Sequence, residues 1–371
     1  MRMLPFVVAL VVLAIPACSR PPRGACVPGP AQGTVGTICG FANPEDVEPI
    51  LPAGIVLVSN MRHSAASGGF LAALPLDGGT QAAPRRLWPT GAAGDNGVDA
   101  THPAIGDRHC VEPPAAAVFA PHGITSAPGD APGVVRIAVV GHGGRQAIEL
   151  FDLTGTGDGA RLAWRGCVPL PPNIVANDVS LAADGEIVTS NYMPSMDGMW
   201  SVYYTVKSGL GSNTGDVIAW RRGSGWRHVG GTAAPSPNGV LVSPDGRNIF
   251  YAETGSGRVA RVPRAGLSSG QSPDAVTIGG NPDNLWLTPR GTILAATHTD
   301  GAAFLLCAFG RLPCRTGWSI FEIDPITLQA TQLLHHDGTA VGAVASAAEV
   351  DGRFFFGAVF DDRIGVWNKP H

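Results

Sequence analysis

Charge is scarce in this sequence. Only 15% of its 371 residues are Asp, Glu, Lys or Arg, and the formal net charge is -4, with no extended run of Lys or Arg. That excludes a charged disordered tail and leaves no electrostatic footprint for nucleic acid. No Cys-x-x-Cys pair is present among the seven cysteines, which removes the usual frameworks of structural zinc. Beyond the N-terminus no apolar run reaches the roughly 20 residues that a membrane-spanning helix needs, and no amphipathic helix is predicted. What is abundant is turn material. The chain has 50 Gly and 32 Pro, roughly 22% of the whole, against about 12% in average usage, and they follow no Gly-X-Y period. With 44% hydrophobic residues the chain can bury a core, and this turn density favours one large all-β domain over two ordinary ones.

Residues 1–17 have the form of an export signal: Arg2, an apolar stretch from Leu4 to Ile15, then Ala17 before the cut. The segment Ile15-Pro16-Ala17-Cys18 resembles the bacterial lipoprotein cleavage box, although Pro16 is unusual there. The expectation is an exported protein of the bacterial cell envelope, lipid-anchored at Cys18, or otherwise periplasmic or secreted. Residues 18–40 form a Pro/Gly-rich lead-in and 41–371 the domain. Removing Cys18 leaves six cysteines, an even number that fits disulfides in an oxidising compartment. Cys307 with Cys314, Cys26 with Cys39 and Cys110 with Cys167 is one of about fifteen possible connectivities.

A repeat lies in the turns. Segments 51–60, 133–142, 184–191, 244–253, 289–298 and 351–360 each pass from a Gly or Pro turn into β-branched or small apolar residues. Each is followed by a second alternating run, at 69–76, 147–153, 216–221, 257–262, 319–323 and 363–367. Six such meanders predict an all-β, six-bladed β-propeller, with a sandwich as the rival.

The residues just upstream of these strands are polar, and in a propeller they start the innermost strands and face the axial channel. They are Glu45-Asp46, His122-Gly123, Asn177-Asp178, Asn238-Gly239 and Asp283-Asn284. Carboxylates and amides converging from separate blades make a hard oxygen cage, the donor set that calcium takes; zinc and copper would want His and Cys.

With those residues in view, the chain resembles the paraoxonase (arylesterase/lactonase) family, within the calcium-dependent gluconolactonase-like propellers. The likeness rests on residues 44–54 (PEDVEPILPAG), 119–124 (FAPHGI), 139–142 (VVGH), 177–178, 237–246 (PNGVLVSPDG) and 283–284, in the family's order. It implies two calcium ions. Glu45, Asn177, Asn238, Asp283 and Asn284 would hold a catalytic one, while Asp46, Asp178 and the backbone carbonyl of Ile124 would help hold a structural one. It also implies that His122 and His142 form a catalytic pair, acting on a small-molecule lactone or ester. A metal polarises the carbonyl, and an imidazole activates water and passes the proton on. No serine nucleophile is required, and the chain is read as lacking a Gly-x-Ser-x-Gly nucleophile elbow.

The alternative is a non-catalytic, calcium-stabilised propeller that binds a ligand or partner protein, since one fold hosts many functions. His298 has a family counterpart near the site mouth, with a solvent position as the alternative. Residues 193–204 carry the composition of a hydrophobic lid, with loop packing as the alternative. His335 and His336 are adjacent on a strand and face opposite ways, which argues against a metal pair. The family's animal members join first and last strands by a disulfide; residues 366–371 have no cysteine, so closure here must be noncovalent or stapled differently. Insertions at 95–114 and 302–317 carry the additional cysteines.

Overall fold

A computed structural model describes residues 25–29, 34–61, 68–90, 104–310 and 314–370. The export signal and Cys18 lie outside the described residues. Strand β1 (Gly36–Cys39) is followed by blade one: β2 (Pro44–Ile50), β3 (Ile55–Asn60), β4 (Phe70–Pro75) and β5 (Arg85–Trp88). Blade two is β6 (Ile105–Gly106), β7 (Ala120–Pro128), β8 (Val135–His142), β9 (Ala147–Thr154) and β10 (Arg161–Pro169). Blade three has β11 (Val175–Leu181), β12 (Ile187–Met193), β13 (Asp216–Arg221) and β14 (Gly225–His228). Blade four has β15 (Pro237–Val242), β16 (Asn248–Glu253), β17 (Arg258–Pro263) and β18 (Asp274–Thr277). Blade five has β19 (Asn281–Leu287), β20 (Ile293–His298), β21 (Trp318–Ile323) and β22 (Ala330–His336). Blade six ends the chain with β23 (Val344–Val350), β24 (Arg353–Ala358) and β25 (Arg363–Asn368).

The six sheets form a six-bladed propeller. Strands β2, β7, β11, β15, β19 and β23 touch one another in sequence, and β23 returns to β2, so they form the inner ring. Each meander strand read from the sequence has its counterpart, because Val, Ile and aromatic runs bounded by Gly turns are buried between neighbouring blades. Between blades one and two, Trp88 meets Phe119 and Phe151 edge-on at 4.7 and 5.2 Å. Burying one such side chain contributes about 1.5–3 kcal/mol.

The propeller begins earlier than residue 41. Strand β1, inside the stretch read as lead-in, pairs antiparallel with β25 and completes blade six. Closure is therefore by backbone hydrogen bonds, and Cys26–Cys39 anchors the end of β1. Cys110–Cys167 ties the insertion before β7 to β10, and Cys307–Cys314 closes a short loop in blade five.

Two helices were not expected from the sequence. Helix α1 (Gly198–Gly209) joins β12 to β13, and α2 (Gly301–Gly310) joins β20 to β21. Neither carries the polar stripe that periodicity detects. The α1 residues Met199, Trp200, Tyr203 and Val206 are exposed, whereas α2 is apolar throughout and is started by Asp300, whose Oδ1 accepts the Ala303 N–H at 2.8 Å. No helix among the described residues is long and apolar enough to cross a membrane.

Candidate active site

Each inner strand bulges near its start. In β7 the residues His122-Gly123 oppose one residue of β8; Asn177-Asp178, Asn238-Gly239 and Asp283-Asn284 do the same in β11, β15 and β19. In β2 the extra residue is Glu45, and in β23 it is Ala345. A bulge unpairs a residue and re-aims its side chain, a device common beside active sites. Here it recurs in all six blades and turns the polar residues inward; blade six, with Ala345, supplies none. The glycines allow the ring to close. A Cβ on Gly123 would lie 2.5 Å from Asp178 Oδ1, and one on Gly239 would lie 2.6 Å from the Asp283 carbonyl oxygen. Gly239 thus serves a bulge and a close approach, not a tight turn.

Glu45, Asp46, His122, Ile124, Asn177, Asp178, Asn238, Asp283 and Asn284 are all brought to this ring, none more than 7% exposed. Asn284 Nδ2 donates to Glu45 Oε1 at 2.8 Å, linking blades five and one. Asp46 Oδ2 accepts the Ile124 N–H and Asp178 Oδ2 the Val240 N–H, both at 2.8 Å. Burial pushes the carboxyls of Glu45, Asp46 and Asp178 well above the carboxylate range. The next cause is a neighbouring acid in each case: Asp283 for Glu45, Glu45 for Asp46, and Asp46 for Asp178.

Four oxygens in this ring are buried with no hydrogen-bond partner: Glu45 Oε2, Asn177 Oδ1, Asn238 Oδ1 and Asn284 Oδ1. Each such group costs about 1–3 kcal/mol when left unmet. They come from blades one, three, four and five, and all are hard oxygen donors. No group of three or more His, Cys, Asp or Glu side chains among the described residues could hold a metal by itself; the orphaned set is one carboxylate and three amides, outside that count. Acids gathered without their charge answered, together with amide oxygens lacking donors, fit a calcium ion.

His122 stands at the edge of the cage, its Nε2 3.5 Å from Glu45 Oε1. Its Nδ1 is 3.1 Å from His142 Nε2, and His142 Nδ1 is 2.6 Å from Gln146 Oε1. Burial lowers both imidazoles to about 4, with Asp283 partly opposing for His122. Both rings are therefore neutral near pH 7, as a general base must be. His142 is the last residue of β8 and is half-buried.

His298 is buried and not in solvent. Its Nε2 lies 2.8 Å from Asp283 Oδ2, and its ring stacks on Phe304 of α2 at 4.1 Å. Two site residues had no signal in the sequence. Tyr192 faces Asp283 and Ser236, and burial followed by the Asp283 charge pushes its phenol up to about 12. Glu48 lies further along the channel, where a cavity of about 400 Å³ is also lined by Asp178, Ser180 and Trp286. Burial pushes its carboxyl up to about 7 against hydrogen bonds from Ser126 and Trp286. The expected lid from 193 to 204 is divided: Met193 is buried in β12, while Met199, Trp200 and Tyr203 of α1 are exposed. His335 bonds Ser319 and His336 stacks on Trp318, so that pair serves packing in an outer strand. Residues 266–270, GLSSG, match Gly-x-Ser-x-Gly in letters, but they lie between β17 and β18 with Ser268 exposed, so they form no elbow between strand and helix.

No protein-family model and no curated protein sequence matches the chain. Solved structures do. A luciferin-regenerating enzyme is 12% identical with a TM-score of 0.51, over 90% of this chain and 95% of that one. A gluconolactonase from Xanthomonas campestris is 15% identical with a TM-score of 0.50, over 91% and 89%. An aldose sugar dehydrogenase from Streptomyces coelicolor, solved with PQQ bound, is 13% identical with a TM-score of 0.50, over 91% and 98%. The likeness is one of fold. The ring of buried oxygens lies on this chain's own inner strands, and the histidine pair joins inner strand β7 to β8.

Proposed function

We propose that the protein is a calcium-dependent hydrolase of lactones or aryl esters. The observation that carries this reading is the set of four orphaned oxygens beside a neutral histidine pair whose inner member, His122, is buried. Glu45, Asn177, Asn238, Asp283 and Asn284 would hold the catalytic ion. Asp46, Asp178 and the Ile124 carbonyl would help hold a second, structural ion. Bound calcium supplies Lewis-acid polarisation of an ester or lactone carbonyl. His122 Nε2 takes the proton from the attacking water, and His142 connects His122 Nδ1 with the half-buried end of β8. His298 orients Asp283 through its hydrogen bond. The name of the gluconolactonase agrees with a lactone-hydrolysing propeller, and the motif resemblance adds aryl esters.

The proposal includes export with attachment at Cys18; three disulfides suit an oxidising compartment. A calcium propeller that binds a ligand or partner without turnover would have the same cage but no use for the histidine pair. Hydrolysis of aliphatic lactones and phenyl acetate, measured with calcium and after its removal, separates the two: a folded, calcium-binding protein that turns over neither sinks the hydrolase reading.

A further inference from the structure

A hydrogen-bonded chain of three side chains leads away from the cage. Its outer end is Gln146, in the turn between β8 and β9, and that turn is fixed on both sides. The Gln146 carbonyl accepts the Leu170 N–H at 2.9 Å, and the adjacent Arg145 makes two bonds of 2.8 Å to Glu149, whose Oε2 also accepts the Trp164 Nε1–H. The side-chain oxygen of Gln146 lies 2.6 Å from His142 Nδ1.

A neutral imidazole has one donor nitrogen and one acceptor. A carbonyl oxygen can only accept, so His142 Nδ1 carries the proton and His142 Nε2 carries the lone pair. His122 Nδ1, 3.1 Å away, must then be the donor to that lone pair. His122 Nε2 is left as an acceptor facing the cage. The opposite polarity would put a proton on His122 Nε2 pointing at Glu45 Oε1, but 3.5 Å is too long for that hydrogen bond.

We propose that Gln146 is a positioning residue: its amide oxygen fixes the tautomer of both histidines so that the lone pair of His122 Nε2, and not a proton, faces the substrate. This rests on the hydrolase reading for its consequence, but the tautomer itself does not. Imidazole 15N NMR of the calcium-loaded protein tests it in wild type, Gln146→Glu and Gln146→Met. The expected result is Nδ1–H on both rings in wild type and in Gln146→Glu, where the carboxylate still accepts, with hydrolysis retained. Gln146→Met is expected to populate Nε2–H on His142 and to lower kcat about tenfold or more with KM within about twofold, since the base is present but wrongly protonated. An Nε2–H form on either ring of the wild type overturns the proposal, as does a Gln146→Met protein with wild-type tautomers and rate. If the wild type hydrolyses nothing, the NMR result still decides the tautomer, and the failure belongs to the hydrolase reading alone.

Discussion

His122 combines three circumstances that rarely coincide in a structural histidine: it is buried, it lies against an acidic cage, and its second nitrogen is engaged by another imidazole. Replacing it with glutamine keeps a polar side chain of similar reach and removes the base. His122→Gln is expected to lose about 10²–10⁴ in kcat, the range that general-base catalysis supplies, while calcium affinity measured by titration calorimetry stays within a few-fold. Loss of affinity equal to the loss of rate would make His122 a structural support. The same residue predicts a pH effect on stability. Its folded value, about 4, is below the ordinary 6.5, so the unfolded chain binds the proton more readily and stability falls as pH drops from about 6.5 toward 4. In calcium-free denaturant titrations the wild type should lose about 2 kcal/mol more than His122→Gln between pH 7.5 and pH 5. An identical loss in both proteins would contradict the burial argument. The candidate residues were legible because polar residues recur before five of the six apolar runs. The partners Gln146, Tyr192 and Glu48 were not, since their contacts depend on which turns and strands meet over the ring, and His298 was marked only by the family resemblance.

At the scale of the element, the inner-strand bulge is the unit of design. One polar or small residue pair opposes a single neighbour at the same place in each blade, and glycine in two of the pairs lets adjacent strands approach. Gly123→Ala and Gly239→Ala would each force a methyl group to within about 2.5 Å of the next blade. Overpacking of this kind costs about 1–3 kcal/mol, and calcium affinity should fall as well, because Asp178 and Asp283 are the residues displaced. Thermal melts with calorimetric calcium titrations check this; unchanged affinity in both variants would detach the bulges from ion binding. The meander strands could be read from the sequence because turn residues and β-branched runs are local signals. The bulges could not, because two-against-one pairing is a property of register. Nor could the helices: α1 exposes its aromatic residues and α2 is apolar on every side, so neither shows the periodicity of a half-buried helix.

For the whole molecule, ring closure and the candidate cage meet at one junction. Strand β1 covers the edge of β25, and blade six in turn supports blade one, where the Ser346 hydroxyl donates to the Glu45 carbonyl at 2.9 Å. A chain beginning at residue 41 would expose the β25 edge and loosen that junction. It is expected to melt lower and to self-associate in size-exclusion chromatography, as uncovered edges do; a monomer with the melting temperature of the longer chain would show that β1 is dispensable. The most direct test of the account is hydrolysis by the purified mature protein of a panel of aliphatic lactones and phenyl acetate, with calcium, after chelation, and after calcium is restored. Activity is expected to be lost on chelation and to return with calcium. Hydrolysis that persists unchanged without calcium, or a folded calcium-loaded protein that hydrolyses none of them, would contradict it.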